Sequence, residues 1–267
     1  MKGVLLFAFN SPTVDYYAMA IATAKRAAHF LHLPVSVVTD SATDLSKYNY
    51  KFDHVFIVTS DRTNYKSNTL WINTGRFQAY DLTPYDETLL IDTDYLINSN
   101  TLLRIFDIYD DFMCPSDVSY VLHEKTPDEM VSPSSFKTLW ATVIAFKKTE
   151  KTKQIFECIK MVQENYSHYV NLYNIVSTTF RNDYALTIAL RIVYGQLEDV
   201  SNYLPWNLLH VSSEVQIHRN SNKKYNTSFT AIRETSVRGK VRTEYNILNN
   251  TDFHLLNKKT FMELVNE

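Results

Sequence analysis

The sequence predicts an α/β protein: a mostly parallel central sheet flanked by helices, followed by an elaborated carboxyl-terminal half. Three observations predict it. Apolar runs of strand length alternate with amphipathic helical stretches between residues 3 and 94, and parallel strands need such helical crossovers. Polar residues suited to ligand binding fall where those strands end, at Asn10, Asp40, Asp92 and Asp94, the edge at which open α/β sheets gather ligands. A hydrophobic fraction of 45% with 21% charged residues over 267 positions can fill a sizeable core in a soluble body.

Each element follows in order. "GVLLFAF" (3–9) reads as a first buried strand; its apolar run is too short for a secretory signal, and no small-residue cleavage pattern follows. Residues 13–32 carry Val14, Tyr17, Ala18, Ile21, Ala24, Ala28 and Leu31 on a helical stripe, with Lys25 and Arg26 on a solvated face. Pro34 ends that helix, and "VSVVTD" (35–40) is the second strand. "HVFIVTS" (54–60) is the third, "NTLWINTGRFQAYDL" (68–82) a helix, and "ETLLIDTD" (87–94) the fourth strand. Residues i and i+2 of an extended chain point the same way, so Asp92 and Asp94 converge.

From 112 to 147 the pattern is rich in strand and loop, with "SYVLHE" (119–124) and "WATVIAFKK" (140–148) as strands. Residues 149–172 form a helix with Ile155, Ile159, Val162 and Tyr166 on one face. Asn182 caps a further helix that stops at Gly195. Beyond Pro205 the periodicity weakens, and the segment 218–246 is basic: Arg219, Lys223, Lys224, Arg233, Arg238, Lys240 and Arg242 stand against Glu234 and Glu244. His29, His32 and His168 read as structural. No repeat or linker divides the chain, so 1–267 reads as one domain, with a nucleotide-binding half (1–98) and an acceptor half (99–267).

Several function classes fall away. A net charge of −2 gives no general bias toward nucleic acid or anionic membrane, and no apolar run is long enough to cross a bilayer. Cys114 and Cys158 offer neither a disulfide framework nor a zinc site, which points to a reducing cytoplasm. The four glycines, Gly3, Gly75, Gly195 and Gly239, never cluster. A Walker A loop and a dinucleotide-binding G-x-G-x-x-G are therefore excluded, because both use adjacent glycines to bring backbone up to phosphate. A phosphorylated ligand would need another neutraliser. Two close carboxylates repel unless a cation accompanies them, and Mn²⁺ or Mg²⁺ on Asp92 and Asp94 could bridge to a diphosphate. A D-x-D arises easily by chance; its position at the end of a buried strand singles this one out.

A nucleotide-binding α/β half followed by "LLIDTDYLI" resembles the GT-A class of glycosyltransferases. The overall order is similar to the glycogenin-like branch, and more so to short glycosyltransferase-like proteins of tailed phages. The resemblance implies a hexosyl- or pentosyltransferase using a nucleotide sugar, a UDP-sugar foremost, with Mn²⁺ or Mg²⁺ on the D-x-D. It implies nucleoside contacts at Asn10 ("AFNS") and Asp40 ("VVTD"), and a diphosphate contact at Arg76, with Asn73 beside it. Asp183 in "FRNDYALTIAL" matches an acidic residue placed under the sugar, here followed by Tyr184 where the family carries glutamine. His254 and Lys258 in "TDFHLLNKKTF" match a further metal ligand and a diphosphate-binding lysine, four residues apart and without the family's intervening glycine.

For the acceptor, the phage resemblance implies a hydroxymethylated base of viral DNA in the host cytoplasm. Lys223, Lys224, Arg233 and Arg238 would meet phosphates, while Tyr225, Phe229 and Tyr245 would stack on a flipped-out base. Two other classes compete. A nucleotidyltransferase would use the same acidic pair on a nucleoside triphosphate. A non-catalytic interaction protein on this scaffold would tolerate Asp94→Asn.

Overall fold

The computed structural model describes residues 1–60, 65–66, 69–70, 72–123, 130–133, 135–176, 179–195, 200–237 and 240–265. In chain order the principal elements are β1 (Lys2–Phe7), α1 (Tyr16–Phe30), β2 (Val35–Asp40), β3 (Val55–Val58), β4 (Glu87–Ile91) and β5 (Tyr95–Leu96). There follow β6 (Phe112–Met113), β7 (Val118–Tyr120), β8 (Val143–Lys147), α2 (Glu150–Glu164), α3 (Tyr166–Leu172) and α4 (Asn182–Val193). The chain ends with β9 (Leu208–Val211), β10 (Gln216–Arg219), β11 (Ser228–Val237), β12 (Lys240–Asn249), β13 (Phe253–Leu255) and α5 (Lys258–Val265).

The central sheet has the order β3-β2-β1-β4-β8-β6. The first four strands run parallel and β8 lies antiparallel to β4. Successive residues of β1 leave by opposite faces, Leu5 and Phe7 into one apolar cluster and Val4 and Leu6 into another. That two-sided burial is why the strand is apolar throughout. A single glycine allows the close fit at its start: a Cβ on Gly3 would lie within 2.5 Å of the Tyr85 ring, whose hydroxyl bonds Ser36 Oγ at 2.6 Å. β2 leaves β1 on one side and β4 pairs on the other, so the chain changes winding direction between β1 and β4. A crevice opens at the carboxyl ends of strands at such a point.

A second sheet, β5-β13-β9-β7, stands beside that crevice. Its register aligns Tyr95, His254, His210 and Tyr120 in one row across four strands. A third sheet, β10-β11-β12, forms a ribbon whose β12 is largely exposed.

Several expectations need correction. The fourth strand ends at Ile91, and Asp92 to Tyr95 form a turn closed by Tyr95 N–H donating to Asp92 O at 3.1 Å. The two carboxylates therefore converge through a turn rather than by strand alternation. The predicted helix 68–82 is, over its described part, a two-residue strand (Thr69–Leu70), a 3₁₀ turn (Gly75–Gln78) and one helical turn (Ala79–Leu82). The helix expected over 149–172 is two helices broken at Asn165, where ψ reaches 28°. Asn182 is the first helical residue and Arg181 the N-cap; the Asn182 side-chain amide donates to Asn73 O at 2.7 Å instead of capping the helix. Arg26 is buried rather than solvated: it donates to Ile97 O at 2.7 Å, to Asn226 O at 2.8 Å and to Asn98 Oδ1 at 2.5 Å. Phe229, expected to stack on a base, is 1% exposed and packs edge-on against Phe253.

Candidate active site

The turn after β4 is held by backbone contacts from three directions. Asp92 N–H donates to Thr142 O at 2.9 Å, Thr23 Oγ1 of α1 donates to Thr93 O at 2.7 Å, and Leu255 N–H of β13 donates to Asp94 O at 3.0 Å. These contacts direct both carboxylates into a cleft of about 350 Å³. Arg76, Asp183, His254 and Lys258 border it as well, with Trp140 and Tyr120 among its apolar walls.

Asp92, Asp94 and His254 offer ligand atoms that all lie within 4.8 Å of one another. His254 Nε2 stands 3.1 Å from Asp94 Oδ2, and Lys258 Nζ donates to the same oxygen. Arg76 Nη1 donates to Asp92 Oδ1. The two acids are driven apart electrostatically. Burial raises the Asp92 carboxyl above the usual range, with Arg76 opposing and Asp94 reinforcing the rise. Burial also acts on Asp94, but His254 and then Lys258 outweigh it and hold that carboxyl well below the ordinary value. Burial lowers the Lys258 ammonium, yet the Asp94 charge overrides it and the net shift is upward. Paired with hard carboxylate oxygens, a neutral imidazole completes a donor set suited to Mn²⁺ or Mg²⁺. The residues fit the cation that the sequence implies.

Asp183 reaches the cleft from the first turn of α4, with Oδ1 accepting from Ala141 N–H at 2.9 Å and Oδ2 from Arg181 Nη2 at 3.0 Å. Nearby, Arg76 Nε and Nη2, Asn73 Oδ1 and Asn182 Oδ1 are buried without a hydrogen-bond partner among the described residues. Such groups cost about 1–3 kcal/mol each when left unmade, so their convergence at one cleft marks it as built for a polar ligand.

The remaining predicted site residues lie elsewhere. Asn10 lies beyond β1 and Asp40 ends β2 on the same sheet edge, but their side chains are engaged by neighbouring protein groups. Asn10 Oδ1 accepts from Tyr17 N–H at 2.8 Å and its amide donates to Tyr48 Oη at 2.9 Å. Asp40 accepts from Ala42 N–H at 3.2 Å and from Ser60 Oγ. Lys223 and Lys224 are exposed, Arg233 Nη1 donates to Leu122 O at 2.8 Å, and Arg238 lies outside the described residues. His210 is the residue that sequence reasoning missed. It is 1% exposed, borders the cleft, and is pushed down to about 2 by burial and then by His254. No motif surrounds it, and only the strand register reveals it.

No protein-family model and no curated protein matches the sequence. Among solved structures the fold is similar to an active-site mutant of LgtC, with a TM-score of 0.48 and 12% identity, over 71% of this chain and 70% of that one. It is similar to the galactosyltransferase LgtC in complex with donor and acceptor sugar analogs, with a TM-score of 0.46 and 13% identity over the same shares of each chain. The glycosyltransferase GlyE of Streptococcus pneumoniae TIGR4 aligns with a TM-score of 0.41 and 12% identity, over 76% of this chain and 45% of that one.

Proposed function

We propose that this chain is a metal-dependent glycosyltransferase that moves a sugar from a nucleotide sugar to a hydroxyl acceptor. One observation carries the reading: two carboxylates, an imidazole, a guanidinium and an ammonium, from positions between 76 and 258, meet in one cleft at the switch point of a parallel sheet. Asp92, Asp94 and His254 hold a divalent cation. When bound, that cation supplies Lewis-acid charge to diphosphate oxygens. Arg76, with two unpartnered N–H positions, donates to the same diphosphate, and Lys258 exchanges its contact with Asp94 for one with phosphate. Both charges are in position before the anomeric bond breaks, so they stabilise the leaving group without reorganisation. Asp183 and the carbonyl oxygens of Asn73 and Asn182 accept from sugar or acceptor hydroxyls. Asn10 and Asp40 stand along the same sheet edge, on the side assigned to the nucleoside.

The donor is a UDP-sugar in this reading, and the acceptor a hydroxymethylated base in DNA. Exposed Lys223 and Lys224 on the ribbon side are suited to phosphates. The test is a panel of nucleotide sugars with Mn²⁺, scored by release of nucleoside diphosphate, followed by transfer from labelled donor to hydroxymethylated and plain DNA. Diphosphate release from none of the donors would remove the glycosyltransferase reading. Release without label on DNA would remove only the acceptor. Pyrophosphate release from nucleoside triphosphates would favour a nucleotidyltransferase instead.

A further inference from the structure

The register that brings His254 to Asp94 also brings a second imidazole to His254. His254 presents Nε2 to Asp94 Oδ2 at 3.1 Å and Nδ1 to His210 Nε2 at 3.2 Å. Two neutral imidazoles hydrogen-bond only if one ring nitrogen carries a proton and the facing one offers a lone pair. For Nε2 of His254 to bind a cation, its ring proton must lie on Nδ1, and His210 Nε2 must accept it.

We propose that His210 is a positioning residue for the metal ligand His254, accepting Nδ1–H and so fixing both the tautomer and the ring plane that direct Nε2 at the acidic pair. The inference rests on the metal reading above. Three observations support it. The two histidines are direct partners in the parallel pairing of β9 with β13, so their separation is set by backbone. Trp140 and Tyr120 stand edge-on to the His210 ring at 4.9 and 5.4 Å, with interplanar angles of 84° and 87°, which restrains it from turning. Its 1% exposure keeps water from competing for Nε2. The tautomer required leaves the proton of His210 on Nδ1, a buried atom with no hydrogen-bond partner among the described residues, which is a cost that the contact with His254 has to offset. Metal-bound histidines generally depend on such an outer partner, usually a carboxylate or carbonyl; here a neutral imidazole fills that place.

Two measurements test this. In histidine-¹⁵N-labelled protein with Mg²⁺, the ring spectra should give His254 and His210 each protonated on Nδ1 and bare on Nε2. A His254 ring carrying its proton on Nε2 would overturn the proposal. Mn²⁺ affinity is then read without nucleotide or turnover, from loss of the free-ion electron paramagnetic resonance signal. His210→Phe, which has no acceptor, should bind Mn²⁺ about 10- to 100-fold more weakly, whereas His210→Gln, whose Oε1 can accept, should stay within about threefold of wild type. Thermal melts check that both variants fold, and if His210→Phe does not, the tautomer measurement decides alone. Wild-type affinity in a folded His210→Phe would overturn the proposal and leave the metal reading standing. A wild-type protein that binds no Mn²⁺, with Asp94→Asn indistinguishable from it, would overturn both.

Discussion

The cleft and the ribbon are both rich in charge, and they treat it in opposite ways. In the cleft, Arg76 is 5% exposed and Asp94 6%, and each charge has an opposite partner within contact. On the ribbon, the Arg242 side chain is 64% exposed and pairs with Glu244, two residues away on the same strand. Removing a charge from water costs several kcal/mol unless it is compensated, so buried charges persist only in specific arrangements. Exposed pairs are worth about 0–1 kcal/mol and constrain little. Charge density along the sequence therefore says little about chemistry, whereas charge held out of water says a great deal.

The largest test of that contrast is Asp94→Asn. It removes the carboxylate charge on which His254 and Lys258 converge, and we expect turnover to fall by about 100-fold or more, together with loss of the Mn²⁺-induced thermal shift. Full activity in this variant would mean that the cleft's charges are structural, like those of the ribbon. Next, Arg76→Gln leaves Asp92 without its guanidinium. A loss of about 3–5 kcal/mol in stability is expected by denaturant titration without metal, the cost of breaking a buried pair, with partial recovery on adding Mn²⁺.

Asn10→Ala is smaller and sharpens the boundary of the site. As a helix-entry contact it should cost about 1 kcal/mol, read as a few degrees of melting temperature with donor KM unchanged. A raised KM at unchanged stability would put Asn10 on the nucleoside. The smallest effect belongs to the ribbon side. Lys223→Glu with Lys224→Glu should alter stability by less than about 0.5 kcal/mol and leave diphosphate release untouched. If DNA is the acceptor, the same change weakens transfer to it and lowers the salt dependence by about 2 in slope. An equal loss of donor cleavage would erase the distinction between the two regions.

How much of this could be read beforehand depended on how local each cause was. β1, β2 and β4 were legible because burial on both faces leaves an apolar run, and Asp92 and Asp94 were legible because they follow one. His254 and Lys258 came only through the family resemblance. His210 was invisible, since its significance lies in a cross-strand pairing 44 residues away. Arg26 failed for a related reason: beside Lys25 it reads as solvated, but segments 71 and 200 residues distant cover it. Phe229 was different. Alternation with Thr230 and Ala231 carried an inward signal, and the basic surroundings obscured it.

The parallel pairing of β9 with β13 has a further consequence. Parallel neighbours cannot be joined by a tight turn, and here the connection between them includes the whole β10-β11-β12 ribbon. The alignment of His210 with His254 belongs to the two strands themselves, so the exposed part of the ribbon, away from the buried Phe229, Ala231 and Leu248, is free to lengthen or shorten. An appendage grafted at that point could recruit a new partner while the ion-binding corner stays as it is.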